Sequence, residues 1–224
     1  MVYLQTQRKK STFREYAEAI IIALVLALFI RAFIVQAFKI PSGSMLPTLQ
    51  IGDHLLVSKF IYGVKMPFTG AVLIPVKNPQ PNDIIVFKYP VDPDIDYIKR
   101  VIAVAGDTVE IRDKQVFVNG KPFDDKFGVH RDPKIYPAQD SPRDNFGPVK
   151  VPKDHLFVMG DNRDNSADAR FWGYDSNGYF QGVDLKAVRG KAFIIYWSWD
   201  IHKPLLSIDR FASIRWGRIG HILH

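Results

Sequence analysis

Apolar positions in this chain fall into two regimes. Between residues 17 and 38 they run almost without a break, AEAIIIALVLALFIRAFIVQAF, with Glu18, Arg31 and Gln36 the strongly polar exceptions among 22 residues. Beyond residue 38 they come in short runs separated by Gly, Pro and Asp, at 54–58, 83–89, 96–104, 108–111, 115–118, 155–159 and 191–197. The first regime predicts one long helix and the second a mainly β domain of antiparallel strands. The clearest period-2 signal is at 108–118, where Val109 and Ile111, a turn at Arg112-Asp113-Lys114, and Val116 and Val118 predict a hairpin followed by the turn pair Asn119-Gly120. Two proline-rich stretches interrupt the pattern, 62–82 and 121–152. The second has no apolar period over 32 residues and is expected to be an insertion or cap subdomain, because loops of that length are uncommon inside a compact core.

As a helix, residues 17–38 would extend roughly 33 Å, against a hydrocarbon core of about 30 Å. The uninterrupted part, 19–30, would also fit the core of a secretory signal, and Val35-Gln36-Ala37 has small residues at the offsets of a cleavage site. Against cleavage, Arg31 and Gln36 sit awkwardly before such a site and the apolar character resumes after Arg31, so an uncleaved single-pass anchor is the expectation. Charge then orients it. Of the net charge of +7, Arg8, Lys9, Lys10 and Arg14 place +4 within the first 14 residues, leaving +3 for the rest. The positive-inside rule puts residues 1–16 in the cytoplasm as a basic flank and residues 39–224 on the outer side of the membrane. An excess gathered on a flank, with no fold recognisable as a reader of bases, argues against nucleic acid as a partner.

With no cysteine, thiol nucleophiles, thiolate metal sites and disulfides are excluded. The six histidines are scattered, and none stands in a spacing that suggests a base beside a nucleophile. Three other segments carry candidate chemistry. In Ile40-Pro41-Ser42-Gly43-Ser44-Met45-Leu46-Pro47, glycine lets the backbone turn so that an N–H and a hydroxyl converge on one oxygen, although an ordinary linker leaving a membrane has the same composition. In the strand run Tyr97-Ile98-Lys99-Arg100-Val101-Ile102-Ala103-Val104, alternation puts one of two cations among apolar neighbours. Alternation does not say which. Only Lys99 could lose its proton there and act as a base, while a salt bridge from Lys99 to Asp96 is the plainer alternative. The polar segment from Gly160 to Arg170 reads either as a solvated turn or as an oxygen-rich loop, and it lacks the terminal Glu of an EF-hand.

In order, and after such an anchor, these segments resemble the successive boxes of the type I signal peptidases, the bacterial leader peptidases. The carrying residues are 41–49, 97–107 and 160–170, with Gly52-Asp53 and 81–90 resembling the box between, and the resemblance reaches to about Trp199. It implies a signal-peptidase-like β domain and a Ser/Lys serine endopeptidase that removes signal peptides from secretory preproteins. Ser44 would be the nucleophile and Lys99 the general base. Ser42 would join the Ser44 N–H in the oxyanion hole, Ser166 and Asp168 would orient the lysine, and Asp161 and Arg170 would be structural supports. Phe38, Ile40, Pro41, Tyr97 and Ile98 would line shallow pockets for small side chains one and three residues before the cut. No cofactor or metal is implied. The expected setting is the bacterial inner membrane with the catalytic domain on its periplasmic face, membrane lipid and secretion machinery as neighbours, and the apolar stretches Pro67-Phe68 and 211–216 against the lipid surface. Ala169 departs from the serine that many relatives carry, and the extra spanning helix and cysteine pair of some relatives are missing. Two other classes compete: an anchored β domain that binds or scaffolds without catalysis, and a self-cleaving Ser/Lys repressor, which would need a DNA-binding domain where this chain has an anchor.

Overall fold

The computed structural model describes residues 12–65, 72–74, 76–204 and 207–223. Arg8, Lys9 and Lys10 of the basic flank and the apolar pair Pro67-Phe68 lie outside the described residues. The long helix is α1 (Thr12–Phe33), of 22 residues, and among the described residues it is the one helix long and apolar enough to cross a membrane. None of its side chains is buried, and Ile20, Ile21, Ile22, Leu24, Val25, Leu26 and Leu28 face outward around its circumference. A helix apolar on every side has no protein core to face.

The helix starts five residues earlier than the 17–38 expectation and ends five earlier. After a last helical bond from Ile34 N to Ile30 O, 2.8 Å, residues Val35–Lys39 leave it as strand β1. β1 pairs antiparallel with β2 (Asp53–Ser58), from Val35 opposite Ser58 to Lys39 opposite His54. The end of the apolar run is therefore the edge of the sheet. No sequence signal marks this switch, because the residues that follow Arg31 are as apolar as those before it, and pairing with β2 decides their conformation.

The remaining strands are β3 (Val64–Lys65), β4 (Val72–Ile74), β5 (Ile84–Lys88), β6 (Asp96–Val104), β7 (Thr108–Arg112), β8 (Gln115–Val118), β9 (Lys121–Pro122), β10 (Phe146–Lys150), β11 (His155–Met159), β12 (Val183–Asp184) and β13 (Val188–Ser198). Seven form one antiparallel sheet in the order β1-β2-β13-β5-β6-β11-β12, and four form a second in the order β10-β7-β8-β9. The expected hairpin is β7–β8, with Asp113 and Lys114 both at positive φ as a two-residue turn between right-twisted strands requires. Asn119 and Gly120, also at positive φ, turn the chain into β9.

The stretch 121–152 is an excursion rather than a separate unit. Its two ends are β9 and β10, both members of the second sheet, and the chain between them is held by buried charge. Arg143 forks onto Asp144 and reaches Asp132, while Lys114 Nζ binds Asp164 at 2.9 Å. Strand alternation on β5 divides the core in two. Ile85 and Phe87 join the larger cluster with Val101, Val109, Phe157 and Trp172, and Ile84 and Val86 join a smaller one with Ile40, Met45, Leu49, Leu55 and Ile195. The chemistry-bearing residues sit where the two clusters meet.

Candidate active site

β6 carries two adjacent cations into the interior, and both are buried: Lys99 is 4% exposed and Arg100 1%. Alternation sends them to opposite faces. Arg100 meets Asp161 in a two-pronged ion pair, Nε to Oδ1 and Nη2 to Oδ2 both at 2.8 Å, and donates from Nη1 to Asn82 O at 2.7 Å. Lys99 lies opposite Ile85 in the register, between Tyr97 and Val101 on its own strand face. Its Nζ contacts Ser44 Oγ at 2.9 Å and donates to Ile98 O at 3.0 Å, with the Tyr97 ring 5.0 Å away. Asp96, the alternative partner, is bound by Arg189 at 3.2 Å.

Burial without a directly bonded carboxylate has an electrostatic result. Desolvation disfavours the ammonium and lowers the Lys99 pKa to about 8, against a partial opposing pull from the nearby charges of Asp168 and Asp161. With a pKa of about 8, Lys99 is mostly protonated at neutral pH and becomes mostly a free amine, in contact with a hydroxyl, at mildly alkaline pH.

Ser44 reaches this amine on the turn that follows β1. Ile40 N binds Asp53 O at 2.8 Å and Gly52 N binds Ile40 O at 2.9 Å, so the 41–51 loop is closed at its base. Met45 and Leu49 anchor it in the smaller core. Behind the loop, Asp53 is fully buried and accepts from Gln50 N, Ser198 Oγ and Arg218, while Arg218 also donates to Thr48 O at 2.8 Å. The residue pair singled out as Gly52-Asp53 thus braces the nucleophile turn. Ser42 is exposed, with its Oγ 3.5 Å from Ser44 Oγ.

The 160–170 segment approaches from the other side. Met159 at the end of β11 pairs with Arg100, so the chain leaving β11 runs next to Lys99. A side chain at Gly160 would collide with the Ser44 carbonyl and with Ser166 Oγ, and this close approach requires glycine. Asn162 binds the turn twice, its N–H to Ser44 O at 3.0 Å and its Nδ2 to Gly43 O at 3.1 Å. Asp168 is sealed from solvent, accepting from Arg170 Nε and Nη2 at 2.8 Å and from Gly160 N at 3.1 Å. The Arg170 guanidinium holds its carboxyl below the ordinary range despite burial. Ser166 is buried against Gly160; its hydroxyl makes no bond of regular geometry, yet it lies near enough to Asp168 to help lower that carboxyl. Asp168 acts on Lys99 through charge rather than by a direct bond, and Ser166 lies beside Asp168 and Gly160. Asp161 and Arg170 each close a buried ion pair, in keeping with support roles.

The surface residues divide. Phe38 and Ile98 are half-buried on the smaller core and Pro41 is exposed, all within a few residues of the Ser44–Lys99 contact. Tyr97 is half-buried and stacked on Tyr89, with centroids 4.1 Å apart. Ile40, expected beside them at a substrate surface, is 2% exposed and packs with Leu55 and Met45 in the smaller core; Phe38, two residues before it and so on the same side of the chain, is partly buried against that cluster. β11 pairs with β6 only from Arg100 onward, so among the described residues β6 is paired along 96–99 on the β5 side alone. An open strand edge adjoins the reactive pair. Asn162 stood within the quoted box but carried no assigned role; its contacts run to main-chain oxygens, which leave no trace in residue types.

Comparison with known proteins agrees in one direction. The model of the family described as "Signal peptidase, peptidase S26" matches residues 13–197. A "Signal peptidase I" of Pseudomonas fluorescens is 37% identical over 237 residues, covering 95% of this chain and 82% of that protein. One of Pseudomonas aeruginosa is 35% identical, covering 94% and 81%, and a "Signal peptidase I P" of Bacillus subtilis subsp. natto is 34% identical, covering 84% and 92%.

Proposed function

Because the chain belongs to the signal peptidase family, peptidase S26, whose members are serine endopeptidases that remove signal peptides from preproteins, we propose that it does so with Ser44 as nucleophile and Lys99 as general base. The observation that carries this reading is the 2.9 Å contact between Lys99 Nζ and Ser44 Oγ, formed where burial lowers the lysine to about 8. The neutral amine takes the Ser44 proton as Oγ attacks the scissile carbonyl carbon. The resulting oxyanion is met by the Ser44 N–H and the Ser42 hydroxyl. Collapse of the tetrahedral intermediate breaks the C–N bond, and the Lys99 ammonium gives its proton to the departing amine. The acyl ester on Ser44 is then attacked by a water whose proton Lys99 accepts, and as the ester C–O bond breaks the Lys99 ammonium returns that proton to Ser44 Oγ, which restores the hydroxyl and the free amine. The Ile98 carbonyl aims the amine throughout, and the buried charge of Asp168, with Ser166 beside it, keeps the lysine pKa from falling further.

The substrate is read as an extended peptide added to the open edge of residues 96–99. Phe38, Pro41, Tyr97 and Ile98 flank that edge with bulky or rigid surface, which favours small side chains one and three residues before the cut; Ile40 supports this surface from beneath. The apolar helix α1 anchors the enzyme, the basic flank stays in the cytoplasm, and the β domain works on the periplasmic face beside lipid and the secretion machinery. The test is processing of a purified secretory precursor in detergent, with N-terminal sequencing of the product. Cleavage after an A-x-A site that is lost in Ser44→Ala and in Lys99→Ala, both folded, is the expected result; cleavage retained by either variant contradicts the assignment.

A further inference from the structure

We propose that Asn162 is a positioning residue that fixes both peptide groups flanking Ser44 and so aims the Ser44 N–H at the oxyanion; this rests on the reading of Ser44 as nucleophile. A trans peptide is planar and points its C=O and N–H in opposite directions. Holding Gly43 O therefore sets where the Ser44 N–H points. Asn162 Nδ2 donates to Gly43 O at 3.1 Å, and Leu46 N adds a second bond to the same oxygen at 3.2 Å. The next peptide is held by the same residue, since Asn162 N donates to Ser44 O at 3.0 Å. The Ser44 N–H itself makes no hydrogen bond among the described residues and stays free for a ligand.

Asn162 is rigid in its turn. It is 4% exposed and forms a parallel bridge with Val129, in which Val129 N binds Asp161 O at 2.7 Å and Arg163 N binds Val129 O at 3.0 Å. Arg163 is tied to Asp125 by an ion pair. The excursion between β9 and β10 is thus a strut behind the clamp, a use that its lack of apolar period does not advertise. The other end of the Asn162 amide, Oδ1, is buried and has no hydrogen-bond partner among the described residues. Burying an unmatched carbonyl costs stability, so the side chain is poorly suited to a purely structural place there and well suited to presenting one donor.

The experiment compares Asn162→Leu, which keeps the branched shape and loses the donor together with the Oδ1 acceptor, with Asn162→Ala and Ser44→Ala in the full chain, on a preprotein substrate. For both Asn162 variants kcat should fall about 100-fold with KM within about twofold, as for a misaimed catalytic group. The pH midpoint of kcat should stay at the parent value, because nothing around Lys99 changes. A peptide boronate, which forms a tetrahedral adduct on the serine, should lose affinity in the same proportion, while a product peptide should not. Full kcat per folded molecule, a loss confined to KM, or undiminished boronate affinity overturns the inference, as does failure of both variants to fold. Ser44→Ala that still cleaves overturns the nucleophile reading itself; inert Ser44→Ala beside fully active Asn162 variants overturns the positioning role alone.

Discussion

The two faces of β6 hold neighbouring cations at nearly the same depth and turn them to different ends. Arg100, 1% exposed, is matched atom for atom by Asp161, and its charge is permanent. Lys99, 4% exposed, has a hydroxyl and a carbonyl where Arg100 has a carboxylate. Burial raises the cost of charge on both faces; a carboxylate offsets that cost on one, and loss of the proton relieves it on the other. Depth alone therefore does not make a base. What makes one is depth together with the placing of the nearest carboxylates, Asp168 and Asp161, in ion pairs with Arg170 and Arg100 rather than on the amine.

The contrast can be broken most severely at the lysine. Lys99→Arg puts a permanent cation on the reactive face, and cleavage should fall by at least about 1000-fold while the far-UV circular dichroism stays unchanged. Residual turnover near the parent rate would contradict the base assignment. On the opposite face, Asp161→Ala takes away the carboxylate that accepts from Arg100 Nε and Nη2 and leaves that buried cation without its counter-charge, which should cost about 3–5 kcal/mol and show as a lower melting temperature. Because Asp161 also pulls the Lys99 pKa upward, the cleavage rate of the folded fraction should have its midpoint at lower pH than the parent. An unchanged melting temperature would mean that the two faces are not organised as described.

A gentler change sharpens the same comparison. The unfolded chain protonates Lys99 below about 10.5 and the folded chain only below about 8, so between these values folding excludes a proton and parent stability rises with pH. Lys99→Met removes that dependence. It should be the more stable protein below pH 8, by on the order of 3 kcal/mol, with the advantage fading toward pH 10.5. Melting curves at pH 7 and pH 10 that differ equally for the two proteins would oppose this.

How far the sequence foretold these faces varies from element to element. The β7–β8 hairpin was legible because half-buried strands print a period of two and a tight turn demands residues tolerant of positive φ, which Asp113 supplies there and Asn119 and Gly120 supply in the next turn, into β9. The same period placed Lys99 and Arg100 on opposite faces but was silent on which of them is buried; both are, and the carboxylate that meets Arg100 comes from 61 residues away. The bounds of α1 were lost because Val35, Ala37 and Phe38 are apolar in a strand and so continue the apolar run of the helix before them. Short strands such as Lys121–Pro122 and the Gly147-Pro148 stretch of β10 have no alternation to read. Residue chemistry singled out Lys99 as the cation able to act as a base, and the resemblance to the signal peptidases pointed to Ser44 within its Ser-Gly-Ser turn. The contacts of Asn162, made with main-chain atoms, needed coordinates, and so did the burial of Ile40.

The claim on which the rest stands is that the Lys99 amine is deprotonated at working pH while touching Ser44. The most direct measurement is the titration of Lys99 by NMR of protein carrying 13C-labelled lysine, its resonance assigned by its loss in Lys99→Arg, alongside the pH dependence of cleavage. A midpoint near 8 that coincides with the rise in cleavage rate is the predicted result. A midpoint at the ordinary lysine value of 10.5, or a rate that ignores the titration, would contradict the account.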